Sequence, residues 1–318
     1  MVHLKIINGD TEYIPIVVGE VKWTTERAGT PGKLTFEVVK DNIINFQEGN
    51  AVQLYVNEVP IFYGFVFQKK RNKSETISVT AYDQLRYLKN KDSYLFEGKT
   101  ASQFISMVAE DFLLKTGDIA DTQYVIEKGI LDNKTLFDMF QELLDTTLTY
   151  TKKLYVLYDD FGKLTLKNIE DMKLDIILNN ESAEDFDYTS SIDGETYNQI
   201  KIAYDNKETG IRDAFVSKDS GNIEKWGVLQ YYEKANSDIG LQQKVNALLE
   251  LYNHKTRQLS IKNAIGSVKV RAGCSVGLTL GLGDINVNHY FICEKVTHTF
   301  KAGMHLMDLE LRGSDRLV

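Results

Sequence analysis

Proline is scarce in this chain, with three residues in 318, while tyrosine and phenylalanine are plentiful at 17 and 15. That balance excludes a disordered, linker-like polymer and favours many well-formed strands. Cysteine is scarcer still. Cys274 and Cys293 are the only two, without the paired spacing of a zinc site, and they read as free strand thiols rather than a structural disulfide. No apolar run approaches the ~20 residues of a membrane span. The start, Met1-Val2-His3-Leu4-Lys5-Ile6, lacks a signal-peptide pattern and reads as a strand. Synthesis in the cytoplasm is expected, with exit only by lysis or inside an assembly. Positive charge is also in deficit. A formal net charge of −8 argues against a protein that grips DNA by its phosphates. It suits a surface past which nucleic acid slides without sticking.

What remains is an ordinary globular composition, 43% hydrophobic and 26% charged. Its length allows two or three domains at the usual ~100–200 residues each. Within that length one pattern occurs twice. Gly49-Asn50-Ala51-Val52-Gln53-Leu54 precedes an apolar run at Ile61–Val66 and an alternating strand at Thr76–Thr80. Gly273-Cys274-Ser275-Val276-Gly277-Leu278 precedes Tyr290–Cys293 and His305–Leu309. Each copy reads as a glycine turn and three strands. A duplication explains the echo; so does the common rhythm of any antiparallel meander, and both readings stay open at this point.

Residues 1–95 read as a first β-unit, a small barrel or sandwich. Its expected strands begin at Val2, then Tyr13–Trp23, Lys33–Val39, Ala51–Asn57, Val59–Lys69 and Thr76–Tyr82, with a turn at Arg71-Asn72-Lys73 among those between them. Residues 96–180 read as an α+β module. Thr100 caps a helix with Phe104, Ile105, Val108 and Phe112 on one face, expected to end at Gly117. A strand at Gln123–Glu127 follows, then a second helix opened by Asn133. A hairpin of Lys153–Tyr158 and Lys163–Asn168 turns at Asp159–Gly162. Residues 181–318 return to strands, at Ile200–Tyr204, Ala214–Ser217, Val228–Glu233, Gln258–Asn263, Ser275–Leu280, His289–Thr299 and Met304–Leu311. One helix, capped by Ser237, interrupts them.

Catalytic motifs fail their own context tests. Gly273-Cys274-Ser275-Val276-Gly277 has the G-x-S-x-G form, and Asp284 and His298 follow in triad order. The nucleophile elbow requires strand, tight turn and helix. Here another strand follows, and the whole triad would occupy about 25 residues. His298, His305 and Cys293 suggest a metal, but no carboxylate completes the set, and ring packing or hydrogen bonding explains them better. Asp160-Phe161-Gly162 is a hairpin turn without the other kinase motifs. Leu280–Asp284 holds half of a dinucleotide fingerprint without the third glycine or the helix. Glu184 and Asp187 could form a hydrolase carboxylate pair, but Glu181–Asp187 reads more simply as a solvated acidic linker. No catalytic, cofactor-binding or metal-ligating residue is assigned.

Several weaker stretches in order carry a family look. They are Ser78–Lys89, Ser191-Ile192-Asp193-Gly194-Glu195-Thr196-Tyr197-Asn198-Gln199-Ile200, Val270–Gly273, and Val296–Phe300 with Leu306–Leu309. Together they resemble the XkdQ/YqbQ-like baseplate hub proteins of contractile phage tails, PBSX-type prophages and tail-like bacteriocins. The resemblance covers essentially the whole chain. It implies a mainly β fold with α+β content: two tail-tube-like antiparallel β-barrels with an interposed α+β module. It also implies a structural role. Three chains of two barrels each would form a pseudo-sixfold ring, a homotrimer joining the hexameric tail tube above to the trimeric spike below. Other baseplate proteins and the tape measure are the further expected partners, with DNA passing through the lumen unbound. The family is not defined by catalytic residues, so none carries over. Some relatives bear lytic or peptidoglycan-binding domains, and this chain is expected to lack one. The alternatives are a tail-associated cell-wall hydrolase and a wall- or glycan-binding module that uses exposed Tyr and Trp.

Overall fold

The computed structural model describes residues 1–41, 43–71, 73, 75–206, 210–235, 240–281 and 286–313. Strands hold 55% of the chain and helices 19%, so the fold is mainly β as expected.

The first β-unit contains β1 (Val2–Asn8), β2 (Thr11–Tyr13), β3 (Val17–Glu26), β4 (Lys33–Val39), β5 (Ala51–Val56), β6 (Val59–Arg71) and β7 (Thr76–Tyr82). Period-two alternation sends Leu34, Phe36 and Val38 inward, where they meet Ile6, Leu54, Val66 and Val79. Each such side chain contributes ~1.5–3 kcal/mol on full burial. The expected strand Tyr13–Trp23 is divided, because β2 ends at Tyr13 and β3 begins at Val17. Pro15 lies in the gap, where its missing N–H removes a ladder bond. The expected turn at Arg71-Asn72-Lys73 includes Asn72, which lies outside the described residues.

A 3₁₀ turn at Gln84–Lys89 leads into β8 (Lys91–Thr100), α1 (Ala101–Asp111), β9 (Thr116–Ile119), β10 (Val125–Thr135), α2 (Leu136–Thr151), β11 (Tyr155–Asp159) and β12 (Leu164–Asn168). Thr100 caps α1 as expected and forms a full capping box with Gln103. The helix stops at Asp111, not near Gly117. That glycine lies in β9, where a Cβ would sit 2.7 Å from Thr165 Oγ1. Thr135, not Asn133, caps α2; Asn133 sits inside β10 at φ 51°, where the register against β8 slips. The short strand expected at Gln123–Glu127 is the start of β10, which runs on to Thr135 because β8 pairs along it. The core of this region unites Phe104, Ile105 and Val108 of α1 with Met139, Phe140 and Leu143 of α2.

Further strands complete the chain: β13 (Lys173–Asn179), β14 (Asp185–Ser191), β15 (Gln199–Asp205), β16 (Arg212–Lys218), β17 (Gln230–Ala235), β18 (Thr256–Ile265), β19 (Ser275–Gly281), β20 (Asn286–Lys301) and β21 (Met304–Gly313). Two helices lie among them, α3 (Ser220–Trp226) and α4 (Leu241–Tyr252). The sequence pattern had suggested only one. α3 has no buried residue and therefore leaves no apolar stripe to read. Gly240 stands at the N-cap of α4, and the expected cap Ser237 lies outside the described residues. Asp185–Ser191, which overlaps the end of the Glu181–Asp187 stretch expected to be a linker, is a strand because β18 pairs along all of it.

Thirteen strands form one sheet, in the order β14-β18-β21-β20-β3-β4-β7-β6-β5-β1-β2, with β19 on β20 and β13 on β19. The two expected barrels are thus halves of a shared sheet, joined where β20 pairs with β3, and no strand pairing among the described residues closes a barrel. β15, β16 and β17 form a separate three-stranded sheet against α4, its core built on Ile200, Ile202, Val245 and Leu248.

Candidate assembly surface

The echo in the sequence is a repeat in space. One half orders its strands β1-β5-β6-β7-β4-β3, and the other orders them β13-β19-β20-β21-β18-β14. Both halves use their strands in the same chain order. Both place a register slip at the corresponding point of the long strand, between Val66 and Gln68 and between Cys293 and Lys295. The glycines that open the echo share a left-handed backbone, with φ 89° at Gly49 and 92° at Gly273, a conformation that favours glycine. Their hydrogen bonds also correspond. Gly49 N–H donates to Val66 O and Val66 N–H to Asn50 O, while Gly273 N–H donates to Cys293 O and Cys293 N–H to Cys274 O. Gly273 has a second constraint, since a Cβ would lie 2.5 Å from Val156 of β11.

The halves join along β3 and β20. Lys295–Lys301 of β20 run antiparallel to Glu20–Glu26 of β3. On one face His298 stacks on Trp23, with centroids 5.0 Å apart, and Phe300 enters the core of the first half. On the other face Thr24 and Thr297 hydroxyls meet at 3.1 Å, and Lys295 lies between Glu26 at 3.4 Å and Glu310 at 3.7 Å. Arg27 closes the end through a 2.8 Å bond to Glu294. The Thr24 face is polar around the joint, and turns aromatic further out at Tyr82 and Phe65. Lys33 and Thr35 follow on β4, Ser78 and Thr80 on β7, Asp308 and Glu310 on β21, and Asp187 and Thr189 on β14.

Two buried polar clusters lie at the joint; the hydrogen bonds of the first are within the second half, and its Trp23 stacking crosses to the other. His298 is fully buried; its Nε2–H donates to Val270 O at 2.8 Å, which leaves Nδ1 to accept from His305 Nε2 at 2.8 Å. Burial pushes its pKa down to about 3 and also lowers that of His305. A neutral pair in this tautomer satisfies the donors and acceptors of these two bonds. Gly266 makes room for it, since a Cβ there would lie 2.3 Å from the His305 ring.

The second cluster joins Asp83, Asp159 and Arg271, contributed by the end of β7, the β11–β12 hairpin and the loop before β19. Asp83 accepts from Gly32 N–H at 2.9 Å and Leu85 N–H at 3.1 Å. Burial raises its pKa well above the carboxylate range, the Asp159 charge adds to this, and Arg271 opposes it. Asp159 accepts from Gly162 N–H at 2.7 Å, and burial pushes its pKa up to about 6. Arg271 donates to Asp159 O at 3.0 Å and stacks over Tyr158 at 3.9 Å. The two aspartates are only 4% and 6% exposed, so a substrate cannot reach them. No sequence motif foretold this cluster, because its members come from three distant segments.

The tempting catalytic residues do not assemble. Ser275 is buried at the start of β19, with a strand rather than a helix after it, and Asp284 lies outside the described residues. Glu184 and Asp187 are exposed beside and on the edge strand β14. Cys274 and Cys293 are free and buried, and burial raises both thiol pKa values. Among the described residues no group of three or more His, Cys, Asp or Glu could hold a metal, and no helix is long and apolar enough to cross a membrane.

A sequence model of the YQBQ-like family matches residues 21–312. The chain belongs to that family. Phage-like element PBSX protein XkdQ of Bacillus subtilis (strain 168) is 29% identical over 98% of this chain and 97% of its own length. Among solved structures, the 43 kDa tail protein of prophage MuSo2 from Shewanella oneidensis superposes with a TM-score of 0.70. It covers 97% of this chain and 98% of that one at 14% identity. The E. coli c3393 protein, a type VI secretion component described as similar to T4 tail proteins gp27 and gp5, gives a TM-score of 0.59 at 9% identity. That match covers 98% of this chain and 77% of that one. This YQBQ-like chain therefore has the fold of phage tail proteins.

Proposed function

We propose that this YQBQ-like protein is the structural hub of a contractile tail. Three copies form a pseudo-sixfold ring between the hexameric tail tube and the trimeric spike. The observation that carries this reading is the repeated strand order within one chain. A trimer of a doubled unit presents six nearly equivalent units at one rim while keeping true threefold symmetry at the other. The polar face around Thr24 and Thr297 suits a lumen wall that DNA or tape-measure protein passes without binding. The segment from β8 to β12, together with the β15–β17 sheet, would lie outside the ring, available to other baseplate proteins. The proposed role is non-enzymatic: the chain is made in the bacterial cytoplasm and acts within the assembled particle. Electron microscopy of isolated tails tests the reading. Three copies between tube and spike are expected; six copies, or a single axial copy, would overturn it.

A further inference from the structure

The repeat assigns a partner to two strand edges that are unpaired in the single chain. Among the described residues β14 pairs with β18 alone, so its other edge is open there. β6 pairs with β5 only as far as Phe65, and beyond Val66 its side opposite β7 is open. In the other half the corresponding stretch of β20 is covered by β3, and β3 is the repeat equivalent of β14. We infer that the open edge of β14 in one copy pairs antiparallel with the open end of β6 in a second copy, reproducing between chains the β3–β20 joint within the chain. This rests on the proposed ring.

The register follows from the pairings. Tyr82 pairs with both Phe65 and Lys33, and Arg312 pairs with both Ile292 and Gln258; matching these equates Phe65 with Ile292 and Lys33 with Gln258. Past the shared slip, Gln68 corresponds to Lys295 and Lys70 to Thr297. Thr24 pairs with Lys33 and Thr189 with Gln258, so Thr189 corresponds to Thr24 and Tyr188 to Trp23. Transferring the β3–β20 register sets Lys70 opposite Thr189, Arg71 opposite Tyr188 and Gln68 opposite Ser191. Arg71 then replaces His298 as the group that stacks on an aromatic ring.

Charge supports the same occupant. The open end of β6 exposes Lys70 and Arg71, with Lys73 just beyond, while Glu184, Asp185 and Asp187 are exposed at β14. An open, uncapped strand edge without proline is a template for another strand. Here the two open edges of one chain carry opposite charge, so they favour each other over self-pairing. Each copy offers one of each, which is a head-to-tail arrangement that builds a ring.

Paired cysteines test this in assembled tails. Arg27 N–H donates to Glu294 O, which places Thr24–Thr297 at a position without ladder bonds, where opposed side chains are closest. K70C with T189C should therefore oxidise to a covalent ladder of this chain ending at three copies. T24C with T297C should close within one chain and serves as the control. K69C with T189C, whose side chains would point to opposite faces, should not link. If microscopy shows three copies but K70C/T189C stays uncrosslinked while the control oxidises, the edge pairing is wrong and the ring survives. If there is no ring of three copies, the ring reading falls and this inference falls with it. Linking by K69C/T189C as readily as by K70C/T189C would overturn the register. Should the cysteine pair block assembly, carbodiimide treatment of wild-type tails is expected to join Lys70 to Asp187 in a peptide found by mass spectrometry. Absence of that peptide would overturn the pairing.

Discussion

The two halves of the sheet share a strand order but not their edges. In the first half β3 is covered by β20; in the second the equivalent β14 is open. The first strand of each half also differs, with β1 antiparallel to β5 and β13 parallel to β19. A four-residue 3₁₀ turn, Ile169–Met172, leads from the β11–β12 hairpin into β13, and β13 enters from the opposite end. The comparison teaches that a repeat can conserve its centre while each rim adapts to a different neighbour. The β3 rim meets the same chain, and its side chains include the buried Trp23. The β14 rim meets solvent in a single chain, and Tyr188 there is half-buried.

Equivalent substitutions break this comparison most sharply. Trp23→Ala should cost about 3–5 kcal/mol in chemical denaturation, as expected for a buried tryptophan. Tyr188→Ala should cost clearly less in the isolated chain, because no second strand covers it. Equal costs would show that the two rims are not energetically distinct.

Arg271→Met comes next. It leaves Asp83 and Asp159 buried without their cation and should cost roughly 3 kcal/mol at pH 8. Asp159 has its folded pKa raised to about 6. Protonation below that pH removes the charge that Arg271 offsets, so the cost should shrink between pH 8 and pH 5. A cost that is constant across this range would argue against the electrostatic account.

His298→Phe preserves a ring beside Trp23 but strands the Val270 carbonyl, with an expected loss of about 1–3 kcal/mol at pH 7. The sign then changes with acid. A histidine depressed to about 3 stays neutral when folded, whereas the unfolded chain takes up a proton below about 6.5. Wild-type stability from this group is therefore complete above 6.5 and declines roughly tenfold in equilibrium constant per pH unit below it, down to about 3. The gap between variant and wild type should close and then reverse over that window in denaturation curves at stepped pH. The smallest effect is expected for Lys295→Met, at most about 1 kcal/mol and reduced by salt, because the ion pairs it removes are partly exposed.

Much of the centre of each half was legible because short-range rules govern it. The Gly49 and Gly273 echoes mark turns that need a left-handed residue, and the alternation in Lys33–Val39 or Met304–Leu311 names its own buried face. Thr100 announced its helix for the same local reason. β8 was missed because its polar sequence, Lys-Asp-Ser-Tyr, is made a strand by β10 rather than by its own pattern. Asp185–Asp187, the end of the stretch read as acidic linker, belongs to a strand for the same reason, with β18 as the partner that orders it. The cluster of Asp83, Asp159 and Arg271 had no signal at all, because a buried charge group is built from residues that long-range folding brings together.

By itself the sequence determined the strand rhythm and the failure of each catalytic motif, since both depend on residues near one another in the chain; that its echo is a repeat was decided by the strand order of the two halves. Only the tertiary structure decided that the two units share one sheet through β3 and β20. It also decided which buried groups bind the units together and which edges remain open. Those outcomes depend on contacts between segments as much as 273 residues apart, such as Thr24 with Thr297, and local propensity carries no information about such pairs.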